Sequence, residues 1–357
     1  MLKRVFDCSV NYLQIMDELG QIDNTIFPED LKDEQIIEMY KNMCFARAVD
    51  AKALSLQRQG RAVTYGPLIG EEATQIGSAM AMRGGDYFVP NFRQHGVFLV
   101  RGMPLDLFFL YWKGYEEGSA IPTEVRGLPY IVPVASQMPH AAGLAYAQKY
   151  KKTTDAVVTY VGDGGTSEGD FYETLNFAGV FKIPLVTIIE NNQWAISVPR
   201  AKQTAAQTLA QKGIAAGIDV VQVDGNDVIA VYKATKNALD RAKDGPSLIE
   251  CVTYRMSMHT TADDPTKYRD EDQVALWKTR DPIIRVKLYL ARKGLWGDEK
   301  EKAMEEEQKK IIDDAVEKAE NFKPDPKSIF EHVYSYIPDT LKEEMDDAIQ
   351  SEFYTKE

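Results

Sequence analysis

The stretch that most constrains the fold runs from Val157 to Ser197 and reads VVTYVGDGGTSEGDFYETLNFAGVFKIPLVTIIENNQWAIS. Val157 to Val161 is a short apolar run rich in β-branched residues, the pattern of a strand buried on both faces of a parallel sheet. It ends in Gly162-Asp163-Gly164-Gly165, where glycines let the backbone turn sharply and approach a ligand. A helix is expected next, with Phe171, Leu175 and Ala178 on one face and Ser167 and Asp170 available to cap its start. Pro184 breaks it, and Leu185 to Ile189 is a second buried strand ending at Glu190-Asn191-Asn192. Such a strand–helix–strand unit puts polar residues at both strand ends, the side on which open α/β sheets bind ligands.

Asp163 and Asn192 are therefore expected at the ends of neighbouring parallel strands. One carboxylate, one amide oxygen and a nearby main-chain carbonyl make a hard-oxygen half-shell for Mg²⁺, which takes about six oxygens at ~2.0–2.1 Å. Two phosphate oxygens and a water would complete it, with the glycine amides and the helix start holding the phosphates. Asp-Gly alone is an ordinary turn. The ordered set of buried strand, GDG, helix, buried strand and Asn-Asn is far more specific.

With 357 residues the chain can hold one large α/β domain with appendages. The expected division is an N-terminal extension over 1–30, a main domain over 31–295 and a helical C-terminal extension over 296–357. A net charge of −12 argues against nucleic acid or an anionic membrane as a partner. No apolar run approaches the ~20 residues that span a bilayer. Cys8, Cys44 and Cys251 are too scattered for a disulfide framework or zinc site. The start, MLKRVFDCSV, lacks the marks of a secretory signal or transit peptide, so a reducing cytoplasm is expected.

Lys32 to Arg58 has helical spacing, and a short helix is expected over Glu72 to Met82 inside a glycine-rich, polar region of the kind that lines cofactors. Arg93 there is either a solvated charge or a phosphate clamp. Pro129, Pro133 and Pro139 are expected to exclude a helix until about His140. Ala201 to Gly217 looks like a mobile connector. A strand at Val220 to Val223, a turn at Asp224 to Asp227, a helix to Lys243 and a strand at Ser247 to Tyr254 follow. The long polar loop from Arg255 to Pro265 is either a disordered surface loop or a lid. Asp298 to Asn321 reads as one amphipathic helix with Met304, Ile311, Ala315 and Ala319 inward. The aromatic tail with Phe330, Val333, Tyr336 and Ile337 suits subunit docking.

Together with QRQGR (Gln57 to Arg61), SQMPHAAGLAYA, VDGNDVIAVYKATK (Val223 to Lys236), the HTTADDP loop and the Lys-Pro-Asp-Pro tail, these motifs resemble one known family. From about Leu31 to its C-terminus the chain is similar to the alpha subunit of the thiamine diphosphate-dependent 2-oxoacid dehydrogenase component, the branched-chain type most closely. The resemblance implies that Asp163, Asn192 and the backbone carbonyl of Trp194 hold Mg²⁺, and that Gly162, Gly164 and Gly165 form the turn against the diphosphate. It sets Arg93 on the diphosphate, with Phe92 in place of a tyrosine whose hydroxyl also contacts phosphate. Val134 would prop the cofactor in its bent form, and Arg255 would lie near the phosphates. His259 and His95 would be catalytic, His95 matching a histidine of the pyruvate-specific relatives. Ile131, Pro133, Ser136 and Gln137 match a site for a monovalent cation such as K⁺, with Ser136 replacing a threonine. Thr260 falls where mitochondrial relatives carry a phosphorylatable serine.

The implied activity is oxidative decarboxylation of 2-oxoacids with acyl transfer to a lipoyl group on the transacylase component of a multienzyme complex. The chain is about half the length needed to supply the second half of the cofactor site as well, which implies a beta subunit and an assembly of two alpha and two beta chains. Branched-chain 2-oxoacids are the main substrate reading, and pyruvate or acetoin the alternative. Glu190 departs from the branched-chain pattern, which tends to arginine, and agrees with the pyruvate pattern. A non-catalytic scaffold of the same fold is the reading from another class; intact Asp163, Asn192, Arg93 and His259 speak against it.

Overall fold

The β-branched runs of the sequence become neighbouring strands of one wholly parallel sheet in the computed structural model, which describes residues 1–351. Residues 352–357 of the expected C-terminal extension lie outside the described part. In chain order the strands are β1 (Tyr12–Leu13), β2 (Tyr87–Val89), β3 (Val157–Gly162), β4 (Leu185–Asn191), the small antiparallel pair β5 (Trp194–Ala195) and β6 (Val198–Pro199), β7 (Asp219–Asp224) and β8 (Ser247–Val252). The six-stranded sheet has the order β1-β7-β8-β4-β3-β2. Every residue of β4 is buried, and all but the last of β3 and β8, because helices cover both faces.

The edge strands β1 and β2 were not expected. Two or three residues are too few to show an alternation, and only pairing to β7 and β3 makes them strands. Helix Asp33–Arg58 matches its expected range and buries Ile36, Met39, Met43 and Ala46. Helix Glu72–Ala81 crosses helix Val228–Arg241 so closely that a Cβ on Gly77 would lie 2.7 Å from the Val228 carbonyl. Only glycine permits that approach.

Three local expectations are corrected. Helix Gln137–Lys151 starts ahead of His140, with Pro139 in its first turn, where a missing N–H breaks no helical bond. Ser167 and Asp170 do not cap the next helix: Gly164–Ser167 forms a 3₁₀ turn, and helix Gly169–Phe181 begins after an uncapped Glu168. Helix Asp298–Asn321 is as expected, but its buried row is Met304, Gln308, Ile312, Ala315 and Ala319, leaving Ile311 outward at 45% exposed. Ile312 completes the four-residue spacing from Met304, and Ile311 falls a third of a turn away.

No helix among the described residues is long and apolar enough to cross a membrane. In the tail, Val333, Tyr334 and Tyr336 are exposed, and helix Asp339–Gln350 has no buried residue.

Besides the pairing of β1 with β7, buried side chains fasten the N-terminal segment, Asp227 among them. Asp227 caps helix Val228–Arg241 by accepting from the Ile229 and Ala230 amides, and its second oxygen accepts from the Ile15 and Met16 amides, both at 2.6 Å. Asp227→Ala removes the cap and strands two buried donors. It is expected to cost about 2–4 kcal/mol, seen as a lower urea midpoint at unchanged slope.

Candidate active site

β3 and β4 pair in register with Gly162 opposite Glu190, so Asp163 and Asn192 emerge close together at the carboxyl edge of the sheet. The segment after β8 returns over that edge, its Thr253 and Arg255 amides donating to the Asn191 and Asn192 carbonyls at 2.9 and 3.1 Å. These ends, with Glu71, Arg93 and the loop at 131–135, enclose a cavity of about 260 Å³. Phe92, Val132, Val134 and His259 also face a second, largely apolar chamber of about 450 Å³, walled by Val63, Tyr111 and Trp112.

Asp163 is 1% exposed, and its Oδ2 has no hydrogen-bond partner. Burial pushes its carboxyl up to about 7, against the opposing pull of the Gly164 amide and Arg255. A buried carboxylate with a bare oxygen is costly until a cation meets it. Asn192 donates from Nδ2 to Glu71 Oε1 at 2.7 Å, and its Oδ1 accepts only a 3.2 Å bond from the Trp194 amide. The Trp194 carbonyl accepts from Arg255 Nη1 at 3.2 Å and retains a second lone pair. Asp163, Asn192 and Trp194 all line the cavity. Among the described residues no group of three His, Cys, Asp or Glu side chains could hold a metal. A carboxylate–amide–carbonyl set completed by ligand oxygens is the kind Mg²⁺ takes, so these residues fit that ion.

The turn after Asp163 is tight because it carries no side chains. A Cβ on Gly165 would lie 2.6 Å from Val161 Cγ2, and one on Gly164 would lie 2.8 Å from the Ala195 Cβ; Gly162 has open space beside it. The connector expected to be mobile braces this turn from behind. Gln203 Nε2 donates to the Asp163 carbonyl at 2.7 Å, and Lys212 Nζ donates to the Thr166 carbonyl and hydroxyl at 2.8 and 2.9 Å.

Arg93 is 4% exposed and lines the cavity, so the solvated alternative fails. Its Nη1 donates to the Pro67 carbonyl, and its Nη2 donates to the His259 carbonyl at 2.9 Å and lies 3.2 Å from His259 Nδ1. Arg255 Nη1 approaches the same nitrogen at 3.4 Å. A guanidinium can only donate, so Nδ1 accepts and Nε2 carries the proton. Burial first, then Arg93 and Arg255, lowers the His259 pKa to about 3, so the ring is neutral at physiological pH. Within its loop, Asp263 Oδ2 accepts from the His259 amide at 2.8 Å and from the Tyr268 hydroxyl at 2.5 Å.

His95 and Arg255 do not sit as anticipated. His95 lies outside the cavity wall, fully buried, with Nε2 donating to the Gly66 carbonyl at 3.0 Å and Nδ1 accepting from the Tyr130 hydroxyl at 3.1 Å. With both nitrogens engaged it has neither proton nor lone pair to offer a substrate. Arg255 is fully buried behind the wall, donating to the Trp194 and Ile196 carbonyls and to Tyr268. Among the residues matched to a monovalent cation, Ser136 donates to the Pro133 carbonyl at 2.8 Å, so two of them satisfy one another. Gln137 donates to the Tyr160 carbonyl and keeps a bare Oε1, and Ile131 lines the cavity.

Two buried acids that line the cavity were not expected as site residues, Glu71 and Glu190; Glu168, also at the lining, is exposed. Glu71 and Glu190 are both 1% exposed and each has one unpartnered oxygen. Burial raises both carboxyls; for Glu190 the charge of Glu71 adds to it. Gly-Glu-Glu before a helix reads as ordinary first-turn charge, so nothing in sequence marks Glu71.

The parallel sheet, the half-partnered Asp–Asn pair at adjacent strand ends and the roofing histidine loop outline a cavity at the carboxyl edge, the side on which open α/β sheets bind ligands. The chain belongs to the dehydrogenase E1 component family, whose model matches residues 40–327. It is thereby an alpha-type chain of a 2-oxoacid dehydrogenase, with thiamine diphosphate the cofactor the family implies. It is 46% identical over 336 residues to the pyruvate dehydrogenase E1 component subunit alpha of Acholeplasma laidlawii, covering 93% of this chain and 97% of that one. Over the same share of this chain it is 44% identical to the protein of that name from Staphylococcus aureus strain Mu50 and 42% to that of Staphylococcus epidermidis, covering 91% of each.

Between its ordinary value of 3.8 and about 7, folded Asp163 holds a proton that the unfolded chain has released. The stability of the cofactor-free protein therefore falls as pH rises through that window. Asp163→Asn removes the share of this dependence that Asp163 contributes and leaves that of the other buried acids. It is expected to be more stable than the parent at pH 8 in chelator, by on the order of 2–4 kcal/mol, and to lose the stabilisation that Mg²⁺ with thiamine diphosphate gives the parent. Thermal melts at pH 5 and pH 8, with and without cofactor, read both effects.

Proposed function

We propose that the chain is the alpha subunit of a thiamine diphosphate-dependent pyruvate dehydrogenase, working with a beta subunit as two alpha and two beta chains. The observation that carries the cofactor reading is the bare, buried oxygen of Asp163 beside Asn192, the Trp194 carbonyl and the glycine turn. The substrate reading is supported by relatives that match 93% of the chain and are named for the pyruvate enzyme. Glu190 agrees with it. The branched-chain reading finds no support in those names, so pyruvate moves from alternative to first place. A larger 2-oxoacid remains the second reading because the apolar chamber beside Phe92 and Val134 has room for a longer acyl chain.

When bound, thiamine diphosphate supplies the electron sink that decarboxylation of a 2-oxoacid requires. Asp163, Asn192 and the Trp194 carbonyl would hold Mg²⁺, and the Gly164 and Gly165 amides with Arg93 would hold the diphosphate. Val134 would support the cofactor from the loop at 131–135. Arg255 would act from behind, fixing the Trp194 carbonyl. His259 keeps its proton on Nε2 and, being neutral, can donate a hydrogen bond there without adding charge. Phe92 and Val132 line both chambers, and a lipoyl group of a transacylase would reach the site past them. The three free cysteines suit a reducing compartment, and the cytoplasm is the proposed location.

Steady-state assays of the purified alpha chain alone and of the reconstituted assembly test this. Turnover is expected only with the beta chain present, with kcat/KM for pyruvate at least about tenfold above that for 3-methyl-2-oxobutanoate. Turnover by the alpha chain alone, or a reversed preference, sinks the corresponding half of the reading.

A further inference from the structure

We infer that Asp50, which touches neither chamber, is a positioning residue that holds the segment Tyr65–Leu68 as a bridge to Arg93 and the His259 loop. The inference rests on the reading of Arg93 and His259 as site residues. Asp50 lies in helix Asp33–Arg58 and is 5% exposed. The segment it grips is neither helix nor strand, so side chains must fix its course.

Each of the four bridge residues is tied. The Tyr65 hydroxyl and the Leu68 amide both donate to Asp50 Oδ1, at 2.6 and 2.9 Å. The Gly66 carbonyl accepts from His95 Nε2, and the Pro67 carbonyl accepts from Arg93 Nη1. On the far side the Tyr65 carbonyl accepts from the Thr261 amide at 2.9 Å, and the Tyr65 amide donates to the Thr261 hydroxyl at 3.2 Å. Thr261 belongs to the His259 loop. The Tyr65 ring is clamped between His95, stacked at 5.3 Å, and the edge of Trp112 at 5.0 Å. Asp50 and His95 thus hold one side of the bridge, and the other side holds the arginine and the loop.

A buried carboxylate is an expensive way to fasten a loop. Burial pushes Asp50 up to about 7, opposed by the Tyr65 hydroxyl, the Leu68 amide and Arg93 and reinforced by Glu72. The structure tolerates that cost at a point linked to Arg93 by one carbonyl and to the His259 loop by one residue. This also gives His95 a purpose consistent with both its nitrogens being engaged. Residues that orient site groups through a rigid segment act by removing the freedom of those groups to miss.

The test uses the alpha–beta assembly carrying Asp50→Ala, Asp50→Asn or Tyr65→Phe. Two readouts are followed on protein whose thermal melt shows it folded: the trypsin cleavage rate after Lys267, in the 3₁₀ turn that ends the loop, and calorimetric affinity for thiamine diphosphate with Mg²⁺. Asp50→Ala is expected to speed cleavage and weaken affinity by about tenfold each, and Tyr65→Phe by about threefold. Asp50→Asn, whose amide oxygen can accept both donors, should stay within about twofold of the parent. Folded Asp50→Ala with parental cleavage and affinity overturns the inference. Should Asp50→Ala fail to fold, Tyr65→Phe decides by the same readouts, since it removes one hydroxyl and no volume. Should the parent bind no cofactor, the functional reading falls, and the cleavage rates still decide the bridge.

Discussion

The site depends on the cost of burying Asp163. A carboxylate removed from water with one oxygen unmatched is unstable in isolation, and β3 alone could not keep it there. It is held because β4 runs beside it in register, because the glycine turn leaves no room for water-bearing side chains, and because Gln203 and Lys212 brace the turn from outside. The cost remains stored in the cofactor-free chain. Glu71 and Glu190 add to it, since the cavity is lined by three buried acids against the single guanidinium of Arg93. A cation entering with an anionic ligand would relieve that imbalance, so stability and ligand affinity are two faces of one electrostatic debt.

Much of the fold was legible because its central strands are buried on both faces and written as unbroken β-branched runs. β3, β4, β7 and β8 could be placed to within a residue or two, and helices Asp33–Arg58 and Asp298–Asn321 nearly to the residue. What was not legible is what only tertiary contact decides. β1 and β2 exist through their neighbours. Pro139 was read as a breaker although a first turn accepts it, and Ile311 and Ile312 are adjacent apolar residues whose facing is set by the helix they pack against.

The site divides the same way. Asp163 and Asn192 were legible because strand ends in a parallel sheet converge by topology, whatever surrounds them. Arg93 and the His259 loop needed the resemblance, since an arginine and a polar loop are most often solvated. His95 and Arg255 show its limit: position in a motif does not say which way a side chain faces, and hydrogen bonds to carbonyls took both into the frame behind the cavity. Glu71 and Asp50 gave no signal at all. Their neighbours in the chain look like the start and middle of ordinary helices, and only burial among distant groups gives them a role.

The incomplete wall of the cavity has a consequence for assembly. Val132, Val134 and Ile196 line it, yet they are 57%, 58% and 56% exposed. Apolar side chains gathered at the rim of a buried, charged cavity are a poor arrangement for a chain that works alone, because water entering over them would screen every interaction within. Covered by a second chain, the same rim becomes a seal, and the dielectric around Asp163, Arg93 and His259 falls. On the proposed function the beta subunit would then supply more than its own half of the cofactor contacts. It would also set the electrostatic strength of the half already present here.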